Sequence, residues 1–259
     1  MEKFQLDFSN QRVIVSGGTR GIGRGVVLAF LRAGATVVAT WSSHPERAQQ
    51  FAKEVEELAA AEKGAFDPSA LDLRQCDVTK EAEVDALFAY LENKYPSIEI
   101  LVNNAGIRRD ALLAQMSLQN WNDVLTTNLT GTFNMSKRAV LAFLSNRYGR
   151  IINIGSIGGE LGLPGQTNYA ASKAGLRGFS RSLSKEVARK GITVNVVEPG
   201  FIDTELIADL DSAQKESYQK EIPLRRFGRV EEVAFGVLTL AHPLSAYVTG
   251  SFIRISGGL

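Results

Sequence analysis

Val13-Ile14-Val15-Ser16-Gly17-Gly18-Thr19-Arg20-Gly21-Ile22-Gly23 decides the architecture of this chain. Three consecutive β-branched apolar residues suit a strand buried on both faces, as in a parallel sheet covered by helices on each side. Glycines at 17, 21 and 23 allow a tight turn, and a helical period begins at Ile22. Strand, glycine turn and helix in that order bring backbone N–H groups and the positive end of a helix dipole together, which suits an anion such as a pyrophosphate. Gly17, Gly18, Thr19, Arg20, Gly21, Ile22 and Gly23 are therefore candidate contacts for a dinucleotide. The spacing is Gly-x-x-x-Gly-x-Gly, which departs from the generic Gly-x-Gly-x-x-Gly fingerprint. A purely structural turn is the alternative, because turns use glycine anyway.

The same alternation continues along the chain. Apolar runs at Arg12–Ser16, Thr36–Thr40, Leu71–Cys76, Ile98–Asn103, Arg150–Ser156, Thr193–Val197 and Phe252–Ile255 read as strands. Helical periods occupy Ile22–Ala33, Pro45–Glu62, Lys80–Lys94, Leu118–Ser145, Tyr169–Lys190 and Val230–Leu240. No repeat, low-complexity tract or linker divides them. The expectation is an α/β fold over residues 1–259, a single domain built on a Rossmann-like, doubly wound parallel sheet of about seven strands with helices on both faces. Such a sheet binds ligands beyond the carboxyl ends of its strands, so the residues just after each strand are the candidates for function.

Composition narrows the classes. Lys plus Arg number 29 against 28 Asp plus Glu, so no basic surface for nucleic acid is expected. The single cysteine, Cys76, cannot form an internal disulfide, which fits a reducing compartment. Met1 to Asn10 carries Glu2, Lys3 and Asp7 and does not read as a signal peptide, and Arg32 interrupts the longest apolar run, so no membrane span is expected. A cytoplasmic protein is the expectation. His44 and His242 each precede a proline at a helix boundary and, far apart with no ligand spacing, make no metal site. Cys76 and Trp121 read as packing residues.

The end of the second strand selects the dinucleotide. A carboxylate there would hold the ribose 2′-hydroxyl of NAD and repel a 2′-phosphate. Thr40-Trp41-Ser42-Ser43 has none before Glu46, and Arg20 in the glycine turn can meet a phosphate with a planar guanidinium. NADP(H) is the expected cofactor, with Ser42 a further contact. The plainer alternative makes Arg20 a solvated loop residue and Trp41 a packing residue.

Tyr169-Ala170-Ala171-Ser172-Lys173 sets a phenol and an ammonium one helical turn apart. A phenol titrates near ~10, and an adjacent ammonium favours the phenolate and brings it toward the working range. Ser156 closes a strand ahead of Gly158-Gly159, where its hydroxyl can meet a substrate oxygen that gains charge. Asn128 lies within an otherwise apolar helical stretch, so its amide needs partners, structural or functional. Taken alone, Tyr169 and Lys173 could equally be a surface pair at helical spacing.

Gly17-x-x-x-Gly21-x-Gly23, Asn103-Asn104-Ala105-Gly106, Asn128, Ser156, Tyr169-x-x-x-Lys173 and Pro199-Gly200 together resemble, in order and over essentially the whole chain, the short-chain dehydrogenase/reductase family. The resemblance implies Tyr169 as general acid, Ser156 as its partner on the carbonyl oxygen, Lys173 as the group that lowers the phenol pKa and holds the nicotinamide ribose, and Asn128 as anchor of a water in a proton relay. It also implies an adenine contact at Asp77 and Val78, cofactor-side contacts at Asn104, Ala105 and Gly106, and a nicotinamide-facing segment at Pro199, Gly200 and Ile202.

Longer stretches, among them Asn103 to Asp110, Gly165 to Tyr169 and Gly191 to Val197, are similar to the 3-oxoacyl-[acyl-carrier-protein] reductases within that family. This similarity implies NADPH-dependent reduction of a 3-oxoacyl thioester, an acidic acyl carrier protein as partner received by Arg147 and Lys190 beside the site entrance, and a homotetramer with Leu118–Ser145 and Tyr169–Lys190 at an interface. The chain departs from that subgroup in a longer His44–Gln75 stretch, in Glu198 before Pro199, and in Ser256 before Gly257-Gly258. Phe201–Gly228, flanked by Pro199-Gly200 and containing Pro223, is the expected substrate lid. Two rivals stay open: the same chemistry on a free alcohol, sugar or other ketone, and a nucleotide-binding scaffold without catalysis.

Overall fold

A computed structural model describes residues 6–208 and 211–259; residues 209–210 of the expected lid and the first five residues lie outside them. In chain order the elements are β1 (Arg12–Val15), α1 (Gly21–Arg32), β2 (Thr36–Trp41), α2 (Pro45–Ala61), β3 (Leu71–Gln75), α3 (Glu81–Lys94), β4 (Ile100–Asn103), α4 (Leu118–Leu125), α5 (Gly131–Asn146), β5 (Gly149–Ile154), α6 (Gly158–Leu161), α7 (Thr167–Val187), β6 (Ile192–Pro199), α8 (Glu205–Ala208), α9 (Ser212–Glu221), α10 (Val230–Ala241) and β7 (Phe252–Ile255). All seven strands are parallel, in the order β3-β2-β1-β4-β5-β6-β7.

The alternation of strand side chains builds two cores. Val13, Val15, Val37, Ala39, Ile100, Val102, Ile152, Ile154 and Val197 face a layer that includes Val26, Phe30, Phe51, Val55 and Val237 of α1, α2 and α10. Ile14, Val38, Leu101, Ile151, Ile192 and Val194 face the opposite layer, with Phe88 and Leu91 of α3, Met135 and Phe143 of α5 and Val187 of α7. Both faces are dry, which is why the strands read as continuous apolar runs.

Some boundaries differ from the sequence expectation for local reasons. Ser16 and the pair Gly155-Ser156 have left their strands. β6 runs on to Pro199 because β7 pairs with it as far as Ile255. The expected Leu118–Ser145 helix is α4 and α5 joined through a π turn, Thr126–Thr130. The expected lid carries α8 and α9, with Asp211 and Gln214 forming a reciprocal cap at the start of α9.

The strand order reverses between β1 and β4, and the loops after these strands are stitched together there. Ser16 Oγ accepts the N–H of Asn104 and of Ala105, both at 3.0 Å, and Asn104 Nδ2 donates back to the carbonyls of Ser16 (3.0 Å) and Gly17 (2.9 Å). A crevice at this reversal is where a doubly wound sheet receives its ligand.

Cys76 lies buried just past β3, and burial, with the charges of Glu83 and Asp77, pushes its thiol up to about 12. Only the thiolate attacks a disulfide reagent. Native protein at pH 8 should therefore resist an aromatic disulfide reagent and react fully after unfolding in urea. Complete labelling of native protein within minutes would contradict this packing.

Candidate active site

The glycine turn is closed on its protein side and open on its outer side. A Cβ on Gly23 would lie 2.3 Å from the Gly17 carbonyl and 2.4 Å from Asn104 Nδ2, and one on Gly18 would lie 2.8 Å from Ala39 Cβ. On Gly21, whose φ is +50°, it would meet only Thr204 Cγ2 at 3.9 Å. Arg20 caps α1 in an extended conformation without a side-chain cap bond, and the first turn of α1 holds no acidic residue. The N-terminal N–H groups of α1 thus have no capping side chain and no acidic residue in their own turn, which suits an incoming phosphate.

Two guanidinium groups meet at the rim of this turn. Arg20 Nη1 stands 4.0 Å and Arg47 Nη1 3.7 Å from Glu205 Oε2 on α8. Glu46 turns to His44 instead, at 3.0 Å. The rim of the turn therefore carries two cations, Arg20 and Arg47, with the Glu205 carboxylate between them. These donors fit a ribose 2′-phosphate better than a bare 2′-hydroxyl. Sequence reading missed Arg47: it lies in the first turn of α2, and nothing in its neighbourhood along the chain ties it to Arg20.

At the end of β3, Asp77 Oδ1 accepts from the Thr79 N–H (3.0 Å) and hydroxyl (2.7 Å), and the Val78 carbonyl accepts from Asn134 Nδ2 at 2.9 Å. On the far side of the crevice the Pro199 carbonyl accepts the N–H of Ile157 at 3.1 Å, and Gly200 packs so closely that a Cβ would lie 2.8 Å from Ser256 Cα. Ile202 is buried and bridges in parallel to Gly228.

Ser156, Tyr169, Lys173 and Asn128 converge between β4, β5 and α7. Ser156 Oγ accepts the Gly158 N–H at 3.0 Å and hydrogen-bonds the Tyr169 phenol. A Cβ on Gly158 would stand 3.3 Å from Ser156 Oγ and 3.5 Å from Tyr169 Cε1, so the two hydroxyl-bearing side chains face the same glycine. Lys173 is buried; its Nζ donates to the Ile154 carbonyl at 2.7 Å and lies 5.7 Å from the centre of the Tyr169 ring. A Cβ on Gly106 would stand 3.2 Å from Asn128 Oδ1 and 3.7 Å from Lys173 Nζ, which brings Gly106, Asn128 and Lys173 around one point.

Asn128 sits in the π turn, a wider helical turn that recurs at functional sites. Its Oδ1 accepts the Ile107 N–H at 2.8 Å, and its Nδ2 donates to the Ile107 carbonyl (3.1 Å) and to Ser172 Oγ (3.0 Å). Ser172 Oγ in turn donates to the Tyr169 carbonyl at 2.7 Å. The amide therefore clamps the loop after β4 to the helix that carries Tyr169. Asn168, fully buried, was not a sequence candidate; its Oδ1 accepts the Tyr169 N–H at 2.7 Å while Nδ2 donates to the Arg109 and Asn120 carbonyls. Its only signal in sequence is a polar residue just ahead of Tyr169 in the first turn of a helix.

Burial raises the Tyr169 phenol above its ordinary value; the Ser156 hydrogen bond and the charge of Arg108 pull it down, and Asp110 pushes it up. Lys173 Nζ is directed at the strand carbonyl of Ile154. Burial pushes the ammonium itself down to about 8.

Arg147 and Lys190 are not beside this site. They cluster together, with Arg147 Nη2 donating to the Arg189 carbonyl at 3.3 Å, but at the opposite end of the sheet. Arg147 follows α5 two residues before β5 begins, and Lys190 follows α7 two residues before β6 begins. Crossover helices run back against the strands, so their C-terminal ends sit at the strand N-termini. The separation from Tyr169 is the length of α7, about 30 Å at ~1.5 Å per residue.

A family described as enoyl-(acyl carrier protein) reductase matches residues 17–259. The 3-oxoacyl-[acyl-carrier-protein] reductase FabG of Aquifex aeolicus is 42% identical over 246 residues, covering 95% of this chain and 96% of that protein. Its namesake from Escherichia coli K12 is 40% identical over 254 residues, 98% and 99% of the two chains, and that from Haemophilus influenzae 42% over 248 residues, 95% and 96%. Sheet order agrees with these matches, and the chain belongs to the short-chain dehydrogenase/reductase family, which implies a nicotinamide cofactor.

Proposed function

We propose that this chain reduces a 3-oxoacyl thioester, carried on an acyl carrier protein, to the 3-hydroxyacyl form with NADPH. The observation that carries this reading is the convergence of Ser156 and Tyr169 hydroxyls beside the crevice, in a chain similar over nearly its full length to 3-oxoacyl-[acyl-carrier-protein] reductases. When bound, the nicotinamide supplies a hydride to the carbonyl carbon. The residues of the chain manage the oxygen: Ser156 donates to it as charge grows, and Tyr169 gives up its proton. A phenol held above its ordinary pKa is fully protonated at neutral pH, which is the state a proton donor needs. Lys173 keeps α7 against β5 and presents its ammonium on the cofactor side. The clamp from Asn128 to Ile107 and Ser172 fixes the loop that carries Gly106.

Gly17 to Gly23 cradle the pyrophosphate, Arg20, Arg47 and Ser42 receive the 2′-phosphate, Asp77 and Val78 border the adenine, Asn104 to Gly106 line the middle of the crevice, and Pro199, Gly200 and Ile202 back the nicotinamide. Residues 201–228 act as the lid over the substrate; Thr204 and Glu205 already reach the glycine turn and its two arginines. Exposed Phe133, Leu141 and Leu144 on α5 support self-association, in keeping with a homotetramer. A carrier protein held at Arg147 and Lys190 would then serve the cleft of a neighbouring copy rather than that of its own chain. The unpaired thiol and the use of NADPH suit the cytoplasm.

The description of the matching family favours a second reading, reduction of an enoyl thioester, in which the hydroxyls would meet charge on the thioester oxygen instead. NADPH oxidation with acetoacetyl-carrier protein, its coenzyme A analogue, a crotonyl thioester and simple ketones separates the possibilities. Turnover of the acetoacetyl thioesters well above the others is expected; preference for crotonyl would select the second reading.

Tyr169→Phe should lower kcat by about 100- to 10,000-fold, the range for losing a positioned acid, with the fold intact. In wild type, carbonyl reduction should hold level through neutral pH while oxidation of the hydroxy product, which needs the phenolate, rises as pH increases. Unchanged turnover in Tyr169→Phe would remove the mechanism.

Arg20→Ala combined with Arg47→Ala should weaken NADPH binding by about 100-fold, roughly tenfold for each charge-assisted hydrogen bond, and leave NADH nearly unaffected. Gly23→Ala should abolish binding of both. Fluorescence titration checks both variants, and equal losses for NADH and NADPH in the arginine pair would contradict the assignment.

A further inference from the structure

Glu198 is a carboxylate with almost no exposure, one residue before the end of β6. Arg177 grips it from α7 with a two-pronged contact, Nε to Oε1 at 2.5 Å and Nη2 to Oε2 at 2.7 Å. Arg177 also reaches Glu160 Oε2 with Nη1 at 2.6 Å, and Arg254 of β7 bridges the same two carboxylates, hydrogen-bonding Glu160 and standing 3.7 Å from Glu198 Oε2. Two carboxylates and two guanidinium groups close a ring that joins α6 and the middle of α7 to the ends of β6 and β7.

Three of the four members of the ring adjoin residues of the proposed reaction. Glu198 precedes Pro199-Gly200. A Cβ on Gly155 would stand 3.1 Å from Glu198 Cγ, so the methylenes of this side chain press against the residue just before Ser156. Glu160 lies on the short α6, four residues after Ser156. Arg177 continues the four-residue stripe Tyr169, Lys173, Arg177 along α7. Backbone bonds run through the same gap, from Gly155 N–H to the Val197 carbonyl at 2.7 Å and from Ile157 N–H to the Pro199 carbonyl at 3.1 Å.

We propose that Glu198, held by Arg177 and ringed by Glu160 and Arg254, is a positioning residue that fixes the distance between the Ser156–Tyr169 hydroxyls and the nicotinamide-facing segment at Pro199-Gly200. A two-pronged arginine–carboxylate contact sets both distance and plane, which a small apolar residue at 198 could not do. Loosening it lets the Ser156 loop and the Pro199 segment drift apart, so hydride and proton no longer meet one carbonyl group in alignment. Neither Glu198 nor Arg177 is assigned any contact with substrate or cofactor. The proposal rests on the reductase reading above, so the wild-type enzyme is assayed first: if it reduces no 3-oxoacyl thioester, that reading fails by itself, and the variants are compared on whichever ketone or enoyl thioester it does reduce.

The test measures kcat, KM for both substrates, and the primary isotope effect with NADPH deuterated at the transferred position, in Glu198→Ala and Glu198→Gln, at saturating substrates and normalised to folded protein by circular dichroism. Glu198→Ala should lower kcat at least tenfold, raise the isotope effect on kcat and leave the KM for NADPH within about twofold. Glu198→Gln, which keeps the shape and part of the grip, should recover a substantial part of the loss. Should Glu198→Ala fail to fold, Glu160→Gln, which alters only the solvent-facing side of the ring, should still lower kcat about threefold with a raised isotope effect. A folded Glu198→Ala, or failing that Glu160→Gln, with wild-type kcat and isotope effect would overturn the proposal. So would a loss of activity that tracks the folded fraction alone.

Discussion

Lys173 Nζ donates at 2.7 Å to the carbonyl of Ile154, the last residue of β5, and both partners are buried. A charge out of water is tolerated only where its donors are satisfied, and burial already holds this ammonium down to about 8. The contact therefore fixes α7 against the end of β5 at the level where Ser156 leaves the sheet. Tyr169, one turn earlier on α7, is brought to the same level, and its phenol meets Ser156. If α7 slid by one turn, phenol and serine would separate by about 5.4 Å, more than a hydrogen bond can span. The loop after β4 is tied to the same helix through Asn128 and Ser172, so the reacting groups refer to one rigid frame.

The other half of the crevice is built from backbone. Gly17, Gly18 and Gly23 leave no room for a side chain on the protein side, while the outer side of the turn and the N-terminus of α1 remain available to an anion. Asn104 reaches back to the carbonyls of Ser16 and Gly17, so the turn after β1 takes its shape partly from the loop after β4. The reversal of strand order between β1 and β4 opens this gap, and the fold positions the site mainly through that reversal.

Much of the architecture was legible because parallel strands buried on both faces leave an unmistakable apolar record, as in Val13-Ile14-Val15 and Ile151-Ile152. Ser156, Tyr169, Lys173 and the glycine turn were legible because each sits at a strand end or at fixed helical spacing. What sequence concealed depends on contacts between distant segments. The π turn around Asn128 has no compositional mark. Arg47 and Glu198 acquire meaning only from partners far along the chain, Glu205 for the first and Arg177 with Arg254 for the second. Arg147 and Lys190, expected beside the site entrance, lie just ahead of β5 and β6 at the end of the sheet away from Tyr169, because position along a helix does not reveal which way that helix runs relative to the site. The anchoring of Lys173 was likewise hidden: helical spacing puts it one turn from Tyr169, while its contact with the Ile154 carbonyl depends on a strand far back along the chain.

A ternary complex with NADP and a non-reducible analogue of the 3-oxoacyl thioester, solved by crystallography, bears most directly on this account. The carbonyl oxygen of the analogue is predicted to lie about 3 Å or less from both Ser156 Oγ and Tyr169 Oη, the separation of a charge-assisted hydrogen bond, with Lys173 still anchoring α7 to β5. An analogue bound in the crevice with its oxygen touching neither hydroxyl would contradict it.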